Sequence, residues 1–261
     1  MNNNMNDITR VGLTANQLKN QFPSMAIKTV AASLQKELPM TLSGVQMKEL
    51  NTTLQNAAYS KEMLAEISLP DLIKFESELF ENEYFANESK VGKKIFEIIS
   101  GWKHFVHLGD TIYFHARCLG KNNQPYLEQE MLKAPVMISS HGRYNEIGRS
   151  CYYFADTKEG ALTEVYKHCG SKKPSVQIAK LKKCKEARLI DLSQNVSKNN
   201  RFIDHLRFKV DNTPGKIVKE YLLPNFVAGC CKKVGIDGIK YQGDGSVSYT
   251  HLRAHETRSN L

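Results

Sequence analysis

Between Ser139 and His168 the chain sets a guanidinium, an aromatic hydroxyl and a carboxylate on three successive elements. Gly142-Arg143-Tyr144-Asn145 has the glycine and asparagine of a tight turn, and Gly148 follows. Cys151-Tyr152-Tyr153-Phe154-Ala155 is rich in strand formers. After it, Asp156 or Thr157 is placed to cap a helix with Glu159 in its first turn. Ala161, Leu162 and Val165 make that helix's inward stripe, and Glu164 falls at the edge of the stripe rather than opposite it. A planar fork suited to phosphate, a ring face that attracts a flat cation and a fixed negative charge together fit a phosphorylated ligand with a cationic ring, such as a dinucleotide. Each residue also has a plainer use. Glu164 can pair with Lys167 or His168 on a solvated face, Arg143 can be a loop cation, and alternation makes one of Tyr152 and Tyr153 core.

The pieces GRYNEIG, YYFAD and ALTEV, in this order and spacing, resemble the central motif of the RES domain, a family named for its Arg, Glu and Ser. The family's usual form is a Gly-Arg-Trp-Asn turn, a Leu-Tyr strand and an Ala-Leu-x-Glu-Val helix. The resemblance runs more loosely over Asp110 to Tyr241. Tyr113-Phe114-His115-Ala116-Arg117 resembles the opening strand, Val176 to Leu181 and Arg188 to Leu192 the two strands after the Glu helix, and Tyr221 to Tyr241 the last helix and strand. Three positions depart from the pattern. Tyr144 replaces the tryptophan; His115 stands where the opening strand's first arginine is expected, with Arg117 at the second; and Gln242-Gly243-Asp244-Gly245 occupies the place of the serine, with Ser246 and Ser248 nearby. Alternation sends His115 and Arg117 to one face, so Arg117 can compensate, and related diphtheria-type transferases carry a histidine on this strand.

The resemblance implies an α+β fold similar to ADP-ribosyltransferases, a mixed-sheet domain over residues 105–242 preceded by a helical N-terminal region over 1–104. It implies a bacterial toxin-like enzyme that breaks the nicotinamide–ribose bond of NAD by hydrolysis or phosphorolysis, silenced in the cytoplasm by a helix-turn-helix antitoxin. On this reading Glu164, Arg143 and Tyr153 are the catalytic residues, and Arg117, His115, Arg143 and Tyr153 surround NAD, which is the substrate. No metal is called for. The pyridinium departs neutral and needs no acid, while the ribose becomes oxocarbenium-like and is stabilised by a fixed negative charge. Tyr152 is the alternative to Tyr153 as the ring platform, and Asn145 is expected to hold the turn through its own hydrogen bonds. Two other classes stay open: transfer of ADP-ribose to a macromolecule, and a non-catalytic basic module that binds nucleic acid or protein.

The rest of the chain bounds these readings. With 261 residues, 41% apolar and 24% charged, it has the composition of a globular protein with room for one large or two small domains. No apolar run reaches membrane-spanning length and the N-terminus lacks the form of a signal peptide, which points to the cytoplasm. The net charge of +9 has its densest cluster at Lys180, Lys182, Lys183, Lys185 and Arg188, but no nucleic-acid-binding pattern accompanies it and direct contact with nucleic acid is not expected. The six cysteines have neither zinc nor secreted-disulfide spacing, so reduced thiols are expected.

Apolar residues at three- and four-residue steps predict helices over Met25 to Leu38, Ser43 to Ala58, Leu69 to Phe85 and Val91 to Trp102. In the third, Leu72, Phe75, Leu79 and Phe80 make the stripe, with Ser68 or Pro70-Asp71 at its start. This region, outside the resemblance, can serve as a regulatory cap, a homodimer surface or the antitoxin's landing site. Residues 243–261 lose hydrophobic periodicity and read as a foreign reading-frame tail or a truncation junction. His251, His255 and Glu256 there are too few ligands for a metal site.

Overall fold

The structure, a computed structural model, describes residues 60–120, 122–132, 137–168, 175–183, 186–193, 200–208, 210, 217–243 and 247–251. The helices expected at Met25 to Leu38 and Ser43 to Ala58 lie outside these residues. After a helical segment at 60–65, α1 spans Leu69–Asn82 and starts on Ser68, whose hydroxyl oxygen accepts from the Asp71 N–H at 3.2 Å. Leu72, Phe75 and Leu79 are its buried face. Phe80, expected in that stripe, is 62% exposed, because one residue past Leu79 is a turn of about 100° away from the core. A 3-10 segment, Glu83–Glu88, leads to α2, Lys90–Ser100, capped by Ser89 and buried through Ile95, Ile98 and Ile99.

The sheet elements follow. β1 spans Ile112–Cys118; then come the short α3, Glu128–Leu132; β2, Tyr152–Ala155; α4, Lys158–His168; β3, Val176–Lys182; and β4, Leu189–Asp191. α5 is Arg201–Leu206, a 3-10 turn spans Lys219–Tyr221, and α6 is Leu222–Val234. α6 ends on Gly235 at φ 85°, a left-handed conformation that a side chain resists. β5, Gly238–Gln242, and β6, Val247–His251, are the last elements among the described residues.

Among the described residues six strands lie in the order β3-β1-β2-β6-β5-β4, with β4 and β5 parallel and the other neighbours antiparallel. The protein is therefore α+β. Within 243–261, expected to be a tail, Val247–His251 forms β6, which sits between β2 and β5 and pairs with both. Without it the facing edges of β2 and β5 would each present a row of unpaired N–H and C=O groups. The β6 residues, Val-Ser-Tyr-Thr-His, alternate as a strand would, but the loss of periodicity around them masks so short a run. Residues 252–261 lie outside the described residues.

The N-terminal helices and the sheet share one core. Leu72, Phe75, Ile95 and Ile99 belong to the same buried cluster as Ile190 of β4, Ile239 and Tyr241 of β5 and Val227 of α6. Phe75 meets Phe226 of α6 edge-on at 5.0 Å between ring centroids. Burying each such side chain contributes about 1.5–3 kcal/mol, so helices and sheet hold each other in register. A smaller cluster, Ala116 of β1, Ala155 of β2 and Ala161 of α4 with Phe114 and Val165 against it, seats α4 on the sheet. Cys118 is disulfide-bonded, which corrects the expectation of reduced thiols for that residue, whereas Cys151, Cys230 and Cys231 are in no disulfide. Among the described residues no helix is long and apolar enough to cross a membrane.

Candidate functional site

The turn that carries Arg143 is closed by its own backbone and held by side chains from β2 and α6. The Gly142 N–H donates to Asn145 O at 3.0 Å and the Asn145 N–H to Gly142 O at 3.3 Å. Asn145, as expected, staples the turn: its amide donates to Ser140 O at 2.9 Å and Glu146 O at 3.0 Å. Its carbonyl accepts from the Tyr153 hydroxyl at 2.9 Å, and that same hydroxyl oxygen accepts from the Tyr144 N–H at 2.9 Å. Position 142 has to be glycine, because a Cβ would lie 2.1 Å from Asn145 Oδ1 and 2.9 Å from the Tyr153 hydroxyl. Tyr144 points inward, 1% exposed, with its ring 4.9 Å from that of Tyr241.

From the other side, Asn225 on α6 clamps the turn. Its Nδ2 donates to Tyr221 O at 2.7 Å, Gly142 O at 2.9 Å and Arg143 O at 3.4 Å. His141 is fixed beside it by the Val218 N–H, which donates to Nδ1 at 2.8 Å. Burial holds the His141 imidazole below its ordinary pKa, against the opposing pull of Glu146. Use of the Nδ1 lone pair as an acceptor also disfavours the doubly protonated ring.

Arg143 reaches out from this turn. Its Nη1 donates to Leu206 O at 2.8 Å, and both Nη atoms lie within 3.4 Å of Phe208 O. The guanidinium carbon sits 5.2 Å from the centroid of the Tyr221 ring. Glu164 approaches from α4, whose start is fixed by Thr157: its Oγ1 accepts from the Gly160 N–H at 3.0 Å. Thr157, not Asp156, is thus the cap. Ala161 and Val165 face the sheet, and Glu164 between them is half-buried.

Arg143, Tyr153, Glu164, Tyr221 and Tyr241 line one hollow of about 250 Å³, with Phe114 and Ala116 of β1 on its apolar side. The Glu164 charge is felt inside it. Burial first, and then the Glu164 carboxylate, hold the Tyr241 hydroxyl well above its ordinary pKa. Tyr221 is raised by burial, with the Arg143 guanidinium opposing and Glu164 reinforcing. The Tyr153 hydroxyl is likewise pushed well up, by burial before all else. None of the three phenols ionises near neutral pH, so each offers a ring face and a neutral O–H.

Of the residues expected around the ligand, His115 borders the hollow and Arg117 does not. Burial lowers the His115 pKa, opposed by a hydrogen bond with the Tyr153 backbone. Arg117 lies two residues further along β1, about 7 Å. There its guanidinium stacks 4.3 Å from the Tyr126 ring centroid and donates to Glu130 O. The structure thus does not bring Arg117 to the hollow with His115. Tyr153, and not Tyr152, lines the hollow. Ser248 lies on β6 opposite Ala155 and Tyr241, and Ser246 is outside the described residues. Among the described residues no group of three or more His, Cys, Asp or Glu side chains is placed to hold a metal ion.

Four residues of the site were not singled out beforehand: His141, Tyr221, Asn225 and Tyr241. Asn225 left one trace in the sequence, a polar side chain inside the apolar run Leu222 to Ala228. No family model matches the chain, and neither a curated protein nor a solved structure matches it.

Proposed function

We propose that the protein cleaves the nicotinamide–ribose bond of NAD on an ADP-ribosyltransferase-like fold, with water or phosphate as acceptor. The observation that carries this reading is the convergence of Glu164, Arg143 and Tyr153 on one aromatic-walled hollow. A volume of about 250 Å³ is slightly below the roughly 300–1,000 Å³ of a drug-sized pocket, which suits one end of a dinucleotide. That end is the nicotinamide and its ribose, leaving the adenosine outside.

Each group then has a defined task. The Tyr153 hydroxyl is engaged by the Tyr144 N–H and Asn145, so its ring face, not its proton, is what a pyridinium would meet. Arg143, steadied by the Leu206 and Phe208 carbonyls, presents its remaining N–H groups to the diphosphate. Glu164 stands where positive charge develops on the ribose. As the C–N bond breaks, its electron pair goes to the pyridine nitrogen, which leaves neutral; the acceptor oxygen bonds to the ribose carbon and gives up its proton. A preorganised carboxylate needs no reorganisation as that charge appears, and such a contribution is worth about 3 kcal/mol. A helix-turn-helix antitoxin as the controlling partner belongs to the same proposal.

The test is chromatographic measurement of nicotinamide release from NAD by the folded protein. Glu164→Gln keeps size and polarity but removes the charge, and is expected to lower kcat by roughly a hundredfold or more. Absence of release by the wild type, or a Glu164→Gln variant as fast as the wild type, refutes the reading.

A further inference from the structure

The carbonyls that hold Arg143 belong to a turn whose position is set from the helical side of the molecule. α5 begins on Asn200, whose Oδ1 accepts from the Ile203 N–H at 3.1 Å while its amide donates to Lys61 O at 3.0 Å. The helix ends at His205 and Leu206, and the Phe208 N–H returns to His205 O at 3.4 Å. His205 is buried, with Nδ1 2.9 Å from Oε1 of Glu76 on α1. A carboxylate oxygen can only accept, so Nδ1 carries the hydrogen and the ring cannot turn without losing that bond. The other side of the ring packs on Phe208, 4.3 Å between centroids. Phe208 O and Leu206 O are the acceptors of the Arg143 guanidinium. A continuous line of contacts thus runs from Glu76 through His205 and Phe208 to Arg143, and neither Glu76 nor His205 borders the hollow.

We propose that Glu76 and His205 are positioning residues for Arg143: α1 sets the direction of the guanidinium fork, and so the affinity of the site for its anionic ligand. The identity of that ligand rests on the reading of the site as an NAD site; the mechanical link does not. Arg143 is placed to bind a diphosphate rather than the breaking bond, so loss of its positioning weakens binding and leaves the chemical step nearly intact.

The experiment uses the full chain with Glu76→Ala, Glu76→Gln and His205→Gln. Glu76→Gln keeps an oxygen that accepts from Nδ1; His205→Gln keeps a donor but removes the ring beneath Phe208. For Glu76→Ala and His205→Gln the KM for NAD is expected to rise about tenfold with kcat within about twofold, and for Glu76→Gln both stay within about twofold of the wild type. In parallel, phenylglyoxal labelling of Arg143, read by mass spectrometry of the digested protein, is expected to run several-fold faster in Glu76→Ala and His205→Gln but not in Glu76→Gln. The labelling needs no turnover. If the wild type releases no nicotinamide, the NAD reading falls while the labelling still decides the link. Unchanged labelling overturns the proposal, as does a fall in kcat alone or a Glu76→Gln variant as impaired as Glu76→Ala. Should one of the two disruptive variants fail to fold by circular dichroism, the other decides.

Discussion

Tyr153→Phe removes one oxygen and with it the hydrogen bonds to Tyr144 and Asn145, and its cost follows from what surrounds them. The Tyr144 N–H donates to that oxygen at 2.9 Å, and Asn145 Oδ1 accepts from it at 2.9 Å. Tyr144 is 1% and Asn145 5% exposed, so water does not take over either role. A buried N–H left without an acceptor costs roughly 1–3 kcal/mol, and the bond lost to Asn145 adds about 1 kcal/mol, so the variant is destabilised by about 2–4 kcal/mol. The phenyl ring retains its packing, so no cavity term enters. For a chain of this size each kcal/mol moves the melting temperature by about 2–4 °C, which puts the fall at no less than about 4 °C. The same change loosens the turn that carries Arg143, so the KM for NAD should rise while kcat changes little. Thermal unfolding by circular dichroism and urea titration with an unchanged m-value read the first effect. A Tyr153→Phe protein that melts within about 1 °C of the wild type refutes the reasoning that this hydroxyl holds the turn.

Asn225→Asp is expected to be more destabilising than Asn225→Ala in urea titration, because a carboxylate cannot donate to the Tyr221, Gly142 and Arg143 carbonyls and would face them with like charge; the opposite order contradicts the clamp. Burial lowers the pKa of His104, His115 and His141, so the native state takes up their protons at a lower pH than the unfolded chain, which protonates near 6.5. Their stability contribution is full above that value and is lost as pH falls through it, so the urea midpoint should drop between about pH 7 and about pH 5, and a flat midpoint would contradict the burial. Burial pushes the Cys230 thiol up to about 12 and Cys231 well up, so iodoacetamide at about pH 8 should label them slowly in the native protein and quickly once it is unfolded; fast native labelling counts against their packing.

Local chemistry made much of the fold legible before any tertiary contact was considered. Ser68 marks the start of α1, because the orphan N–H groups of a helix start demand such a residue. The aromatic run at Tyr152 to Ala155 announced β2, and the step from there to Glu164 announced α4. Phe80 and β6 were not legible for opposite reasons. Phe80 belongs to an apolar run that continues past the helix face that is buried. β6 carries an alternation of only five residues, and the two edges it joins decide its place.

The sequence by itself determined which groups could act: a guanidinium on a tight turn, a phenol on a strand and a carboxylate on a helix, close enough in the chain for turn chemistry and periodicity to order them. Only the tertiary structure decided which of them share a hollow. It brought in Tyr221, Asn225 and Tyr241, more than 50 residues beyond Glu164, by packing α6 and β5 against the turn, and it left Arg117 on Tyr126. The physical reason is range. Capping, turns and alternation act over a few residues, whereas a shared cavity is set by long-range burial and by where buried donors find their acceptors.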